Sequence, residues 1–302
     1  MGITYSSESI HCGGGSSNSQ YNSIYNVVPS LPSKKYSLVD AASLKTQFGI
    51  NSNSIASNYI DLRVDCPRIT NIGTYPVNPI ASICYLIHYL LIKQELAVFT
   101  PSIGFLYAHC SMFSGIENLF SFESIFNTIK QYGICSELKY PTDVKCIHTP
   151  SDTLYEAAKA YTFIQIMRVP YELMIIKRLI QYEHPVLVGF SVYVDLNRIT
   201  SKLWIPDTAI ERVEGGLSGV LVGYIEDRRM FIMAQTFGTA MGEDGYIMVP
   251  YDYILDREYT FELYVLQLDK NRIEGYARAT ATTPAVSRGH VQRGGGLNNL
   301  FN

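Results

Sequence analysis

A chain of 302 residues with 47% hydrophobic and 17% charged residues carries enough apolar side chain to bury a sizeable core, which excludes the disordered class and removes any need for disulfide staples. The formal net charge of −3 supplies no global basic field, so nucleic acid is not an expected partner.

Residues 1–57 read as a flexible Gly/Ser/Asn-rich arm and lead-in, typified by Gly13-Gly14-Gly15-Ser16-Ser17-Asn18-Ser19. Its first residues, Met1-Gly2-Ile3-Thr4-Tyr5-Ser6, fit the N-myristoylation pattern and make Gly2 a candidate lipidation site. One acyl chain binds membrane only marginally and no basic cluster lies close by, so membrane contact is expected only if Gly2 is acylated. The six cysteines (Cys12, Cys66, Cys84, Cys110, Cys135, Cys146) form no CxxC or Cys/His zinc spacing and follow no signal-peptide pattern. Reduced thiols in an intracellular, cytoplasmic-type compartment are expected, with no metal and no cofactor.

Asn78 as N-cap and Pro79 behind it open a predicted helix to about Gln94. Its longest apolar run, Ile80 to Ile92, is too short to span a bilayer and reads as core. Thr100 and Pro101 open a second helix to about Phe113, Ser121 caps a third that Gly133 stops, and Ser151 caps a fourth through about Tyr161. A further helix is expected over Tyr171 to Glu183, where Leu173, Ile176, Leu179 and Ile180 share a face. Strand-like runs follow at Pro185–Val192, Leu217–Tyr224, Met230–Phe237, Gly245–Val249 and Tyr259–Gln267. Helices first and strands second predict an α+β domain of two lobes with a cleft between them. Residues 269–302 read as a tail, polar and glycine-rich from about Gly275, whose Leu297, Leu300 and Phe301 are candidates for docking a partner.

Several motifs occur in an order that resembles the papain-like cysteine peptidases, in the divergent branch found in bacteria and large DNA viruses. They are Asp61-Leu62-Arg63, Cys66-Pro67, Asn71-Ile72-Gly73 before a helix, Pro101-Ser102 with Phe105-Leu106-Tyr107, and Gly133-Ile134-Cys135-Ser136-Glu137 with Tyr140-Pro141. Gly189-Phe190-Ser191-Val192-Tyr193, Gly215-Gly216, Val222-Gly223-Tyr224 and Gly238 to Gly245-Tyr246 complete the series. The resemblance covers residues 58–268 and implies a papain-like domain, with a helical N-terminal lobe and a β-rich C-terminal lobe.

The chemistry of that family needs a thiolate at a helix N-terminus, a histidine base, an Asn that orients it and a Gln that helps hold the oxyanion. The resemblance carries the Cys onto Asn78, the His onto Leu217, the Asn onto Gln235 and the Gln onto Ile72. Loss of one member of such a unit forfeits nearly all of its rate advantage. The expectation is a non-catalytic pseudoenzyme acting as a scaffold or adaptor among other proteins of a larger assembly, with a virion or capsid as the specific case. Two alternatives stay open: a peptide-binding module that uses the cleft, and a residual hydrolase with a relocated nucleophile. Cys84 and His88, four apart on one helix, could ligate a metal but read better as packed core; Ser218 reads as ordinary packing.

Overall fold

The computed structural model describes residues 25–31, 34–51, 56–96, 98–111, 119–143, 149–193, 202–203, 205–206 and 211–282. Gly2, Leu297, Leu300 and Phe301 lie outside the described residues.

The chain begins its regular structure earlier than the sequence reading allows. Helix α1 (Ala41–Phe48) starts with a reciprocal cap, in which Ser43 N–H donates to Asp40 Oδ1 at 2.7 Å and Asp40 N–H donates to Ser43 Oγ at 2.7 Å, and it ends at Gly49 in the left-handed region. Tyr25, Val27, Tyr36, Val39, Leu44, Phe48 and Ile50 all join the core. Residues 25–31 and 34–51 are therefore packed structure, which corrects the expectation of a flexible lead-in through residue 57 over that stretch. Strand β1 (Tyr59–Asp61) follows.

Helix α2 (Asn78–Lys93) is apolar on every face and buried from Asn78 to Ile87 without a break, as a helix at the centre of a fold must be. Its cap differs from the expectation. Val77 holds the N-cap position without a side-chain bond, and Asn78 is the first helical residue with its amide turned elsewhere. Helix α3 (Ile103–Ser111) likewise starts later than Thr100: Ser102 Oγ accepts from Phe105 N–H at 3.0 Å, while Pro101 bridges Ser136. Helix α4 (Phe122–Tyr132) and helix α5 (Asp152–Lys159) start at the expected Ser121 and Ser151 caps. Gly133 stops α4 at φ 79°, and a Cβ there would sit 1.8 Å from the Ala158 carbonyl oxygen. Helix α6 is shorter than expected, Leu173–Gln181.

The sheet contains the five expected strands with shifted ends, β3 (Val186–Val192), β4 (Gly215–Ile225), β5 (Met230–Ala234), β6 (Tyr246–Pro250) and β7 (Thr260–Leu268). Strand β2 (Ile164–Arg168) was not expected; it pairs along β7 with Ile166 and Leu266 opposed. The order is β2-β7-β3-β4-β5-β6 with β1 on β4, and every ladder is antiparallel. A short helix α7 (Tyr251–Leu255) joins β6 to β7. The stretch expected as a tail from 269 instead opens with helix α8 (Lys270–Thr282), pinned by buried Ile273 and by Arg272 stacked on Phe163. Among the described residues no helix is long and apolar enough to cross a membrane.

The α+β architecture stands as expected. Helices α2 to α5 form one body and the sheet with α6 and α7 the other, and α2 is the shared wall, packed on β3, β4 and β7. The seam between them begins at the N-terminus of α2.

Candidate functional site at the seam

The N-terminus of a long helix presents unpaired N–H groups and a partial positive charge, which favour an anion there. Asn78 places a neutral amide at that position, fully buried. Its Oδ1 accepts from Ser218 N–H at 2.7 Å and from Ser218 Oγ at 3.0 Å. Its Nδ2 donates to the Ser218 carbonyl at 3.2 Å and to Thr236 Oγ1 at 2.9 Å. Ser218 Oγ also reaches Ser82 Oγ, one turn further along α2, at 2.8 Å.

Register explains why this slot exists. Strands β4 and β5 pair Val220 with Ala234, so the next rung would set Ser218 against Thr236. The Asn78 amide takes that rung, touching both residues, and so joins the helix to the sheet as a strand edge would. Ser218, read from sequence as ordinary packing, is thus the principal partner of Asn78. Thr236 carries no family signal and escapes the sequence reading, while Ser218 is given only a packing role there; each directly follows a position, Gln235 or Leu217, that the resemblance singles out.

The four positions singled out by the resemblance come together. Ile72 N–H donates to the Thr236 carbonyl at 2.9 Å, Leu217 precedes Ser218, and Gln235 precedes Thr236. Leu217 and Gln235 are 1% exposed and Ile72 5%. The Gln235 side chain lies over Gly219, where a Cβ would sit 2.8 Å from its Nε2. Both Gln235 amide atoms are buried without a hydrogen-bond partner.

A strap formed by residues 25–28 crosses the front of this cluster. Val27 N–H donates to the Gly216 carbonyl at 3.2 Å on the sheet side, and Val28 N–H to the Phe120 carbonyl at 3.1 Å on the helical side. Phe120 N–H returns a bond to the Asn26 carbonyl at 3.0 Å, which closes a parallel bridge. Asn26 Nδ2 donates to the carbonyl of Pro76, just ahead of α2. The Gly215-Gly216 pair is what allows the approach: a Cβ on Gly215 would sit 2.4 Å from Tyr25 Cβ, and one on Gly216 2.0 Å from the Val27 carbonyl oxygen.

Beside the cluster a cavity of about 450 Å³ is lined by Ile72, Tyr75, Cys84, His88 and Glu137 among others. Cys84 and His88 do share it, but among the described residues no three His, Cys, Asp or Glu side chains converge as a metal site. Burial pushes the Cys66 thiol up to about 11, Cys110 and Cys135 up to about 12, and Cys84 well above its ordinary value. The same desolvation lowers His88 and His109 and takes His184 down to about 4. Near neutral pH these thiols are protonated and these imidazoles neutral, the opposite of a thiolate–imidazolium pair.

No protein-family model matches the chain. Across 80% of its length it is 26% identical to an uncharacterized peptidase C1-like protein of Acanthamoeba polyphaga mimivirus, covering 86% of that protein. Its fold is similar to xylellain, a cysteine protease from Xylella fastidiosa, with a TM-score of 0.73 at 20% identity over 85% of this chain and all of that one. Digestive procathepsin L 3 of the Tenebrio molitor larval midgut is similar over 82% of this chain and 77% of its own, with a TM-score of 0.61 at 16% identity. With its two packed bodies, its seam at the head of α2 and these likenesses, the chain has the papain-like fold and is related to the papain-like cysteine peptidases.

Proposed function

We propose that this chain is a non-catalytic papain-like protein that serves as a scaffold or adaptor in a larger protein assembly. The observation that carries the reading is Asn78: at the helix N-terminus, where the family's chemistry needs a free thiolate, stands an amide bonded to Ser218 and Thr236. The strap favours a scaffold over a peptide-binding module, because the seam beside Leu217 is already occupied by the chain's own residues 25–28. The raised thiols speak against a relocated nucleophile. A virus particle is the proposed assembly, on the strength of the mimivirus relative. Gly2 as an acylation site and Leu297, Leu300 and Phe301 as docking residues belong to the same proposal.

The test is restoration. The parent and the double variant Asn78→Cys, Leu217→His, the latter checked for the parent's circular dichroism, are offered a fluorogenic peptide library and a thiol-directed epoxide probe. Neither is expected to cleave or to be labelled. Turnover by either, or labelling that one named cysteine accounts for, removes the non-catalytic reading. The scaffold role fails separately if deleting residues 283–302 leaves incorporation into the assembly unchanged and the chain binds none of its components.

A further inference from the structure

The cavity beside the seam, of about 450 Å³, is sorted by depth. Its buried lining residues are all hydrophobic, Ile69, Ile72, Val77, Cys84 and Ile103 among them, and Ile69 and Ile103 each keep 7% of their surface open. Tyr85 joins this floor through its ring, because its hydroxyl is bonded to that of Tyr246 at 3.1 Å. The polar lining residues are half-buried or exposed, with Arg68, Thr70, Tyr75 and Thr100 at the rim. Glu137 has both carboxylate oxygens taken by Thr142, one by its N–H at 2.6 Å and the other by Oγ1 at 2.7 Å. Such a wall suits an amphiphile that sends an alkyl chain inward and keeps its polar group outside, and the volume lies within the range of small-molecule sites, about 300–1,000 Å³.

The chain itself offers one such group. Gly2 is the candidate acylation site, and the arm that carries it enters the described structure at the lip of this cavity. Asn26 Nδ2 donates to the carbonyl of Pro76, whose neighbours Tyr75 and Val77 both line the cavity. Residues 2–24 lie outside the described residues. A Gly/Ser-rich coil of that length spans about 25 Å on average and about 75 Å when fully extended, so reach is not limiting.

From the cavity, the motif and the entry point together we infer that the cavity holds the fatty acyl chain attached to Gly2. The inference rests on the Gly2 reading above and adds the place where the acyl chain goes. Acylation forms an amide between the Gly2 amine, freed by removal of Met1, and the acyl carbon of a fatty acyl thioester, whose thiol leaves with the proton. Tethering then supplies an effective concentration of about 1 mM, which at a cavity Kd of about 10 µM favours the docked chain about a hundredfold. A lone acyl chain enters membrane with a constant of about 10⁴ M⁻¹, only about tenfold at about 1 mM lipid. The cavity therefore wins, and the acylated protein stays off membranes while the cavity is open to its chain.

The full chain is produced with and without a co-expressed N-myristoyltransferase, and intact mass reads the modification of Gly2. Titration calorimetry of the unacylated chain with N-myristoylglycine is expected to show one saturable site with Kd of about 10 µM. N-hexanoylglycine, eight methylenes shorter, should bind at least about a hundredfold more weakly, since each buried methylene contributes about fourfold. Ile103→Trp on the floor and Thr70→Trp at the rim fill the cavity. Each should weaken N-myristoylglycine binding about tenfold or more while melting within a few degrees of the parent, and Thr70→Trp decides alone if Ile103→Trp does not fold. The acylated parent should neither bind N-myristoylglycine nor pellet with phosphatidylcholine vesicles, whereas the acylated Thr70→Trp variant should pellet. No mass gain removes the Gly2 reading and this occupant with it. A mass gain leaves the Gly2 reading standing, and the inference is then overturned by any of four results: no saturable site in the unacylated chain, parental affinity in Thr70→Trp, undiminished N-myristoylglycine binding by the acylated parent, or equal pelleting of the acylated parent and variant.

Discussion

The carboxamide of Asn78 and the backbone of Ser218 meet as two strand edges would, with Oδ1 taking the Ser218 N–H at 2.7 Å and Nδ2 giving to the Ser218 carbonyl at 3.2 Å. Because the pair is buried, truncation leaves Ser218 and Thr236 groups without partners and without water. Asn78→Ala is expected to lower the unfolding free energy by about 2–4 kcal/mol. Urea denaturation reads this directly, and a loss below about 1 kcal/mol would mean that the amide holds little of the seam together.

Gly216→Ala places a methyl group 2.0 Å from the Val27 carbonyl oxygen, so strap or strand has to give way. Hydrogen exchange over residues 25–31 should accelerate, and overpacking should cost about 1–3 kcal/mol. Gly275→Ala is the contrasting case. It lies inside α8 with open space where the methyl would go, and it should stabilise by about 0.5–1 kcal/mol. Equal effects at the two positions would refute the close contact.

Gln235 keeps an amide in the core with neither atom paired. Gln235→Met removes both orphans at nearly constant volume and is expected to raise stability by about 1 kcal/mol. A fall in the denaturation midpoint would reveal a partner for that amide, such as a buried water.

Acid should weaken the fold through His184, whose ring packs edge-on against Phe48 and whose pKa burial lowers to about 4. The unfolded chain binds a proton near the ordinary histidine value of about 6.5 and the native state does not. Stability from this group is therefore complete above about 6.5 and is lost as pH falls toward 4. His184→Phe should flatten the stability–pH curve in that window, and an unchanged slope would contradict the buried, neutral ring.

Local signals were legible where they are self-contained. Ser121, Gly133 and Ser151 punctuate α4 and α5 as read, because caps and left-handed stops depend on adjacent residues only. Asn78 was located by resemblance yet given the wrong task, because its partners lie 140 and 158 residues further along the chain, beyond any local window. Strand β2 was missed because its five residues are ordered by the β7 ladder rather than by a long alternating pattern. Helix α8 was missed because Gly275 reads as a breaker, whereas Ile273 and Arg272 secure the helix through contacts that only the fold creates. A cavity of about 440 Å³ lined by Ser30, Arg168 and Glu262 among others joins residues far apart in the chain, and no sequence spacing announces it.

The strap has a consequence for the order in which the protein is made. Residues 25–28 leave the ribosome before the Gly216 carbonyl that holds Val27, which belongs to β4 and is synthesised much later. Since domains take shape as the chain is extended, the strap is translated before the strand that fastens it on the sheet side. Until β4 emerges it is a loose end, open to proteases and to any chaperone that reads Tyr25 and Val27 as unburied.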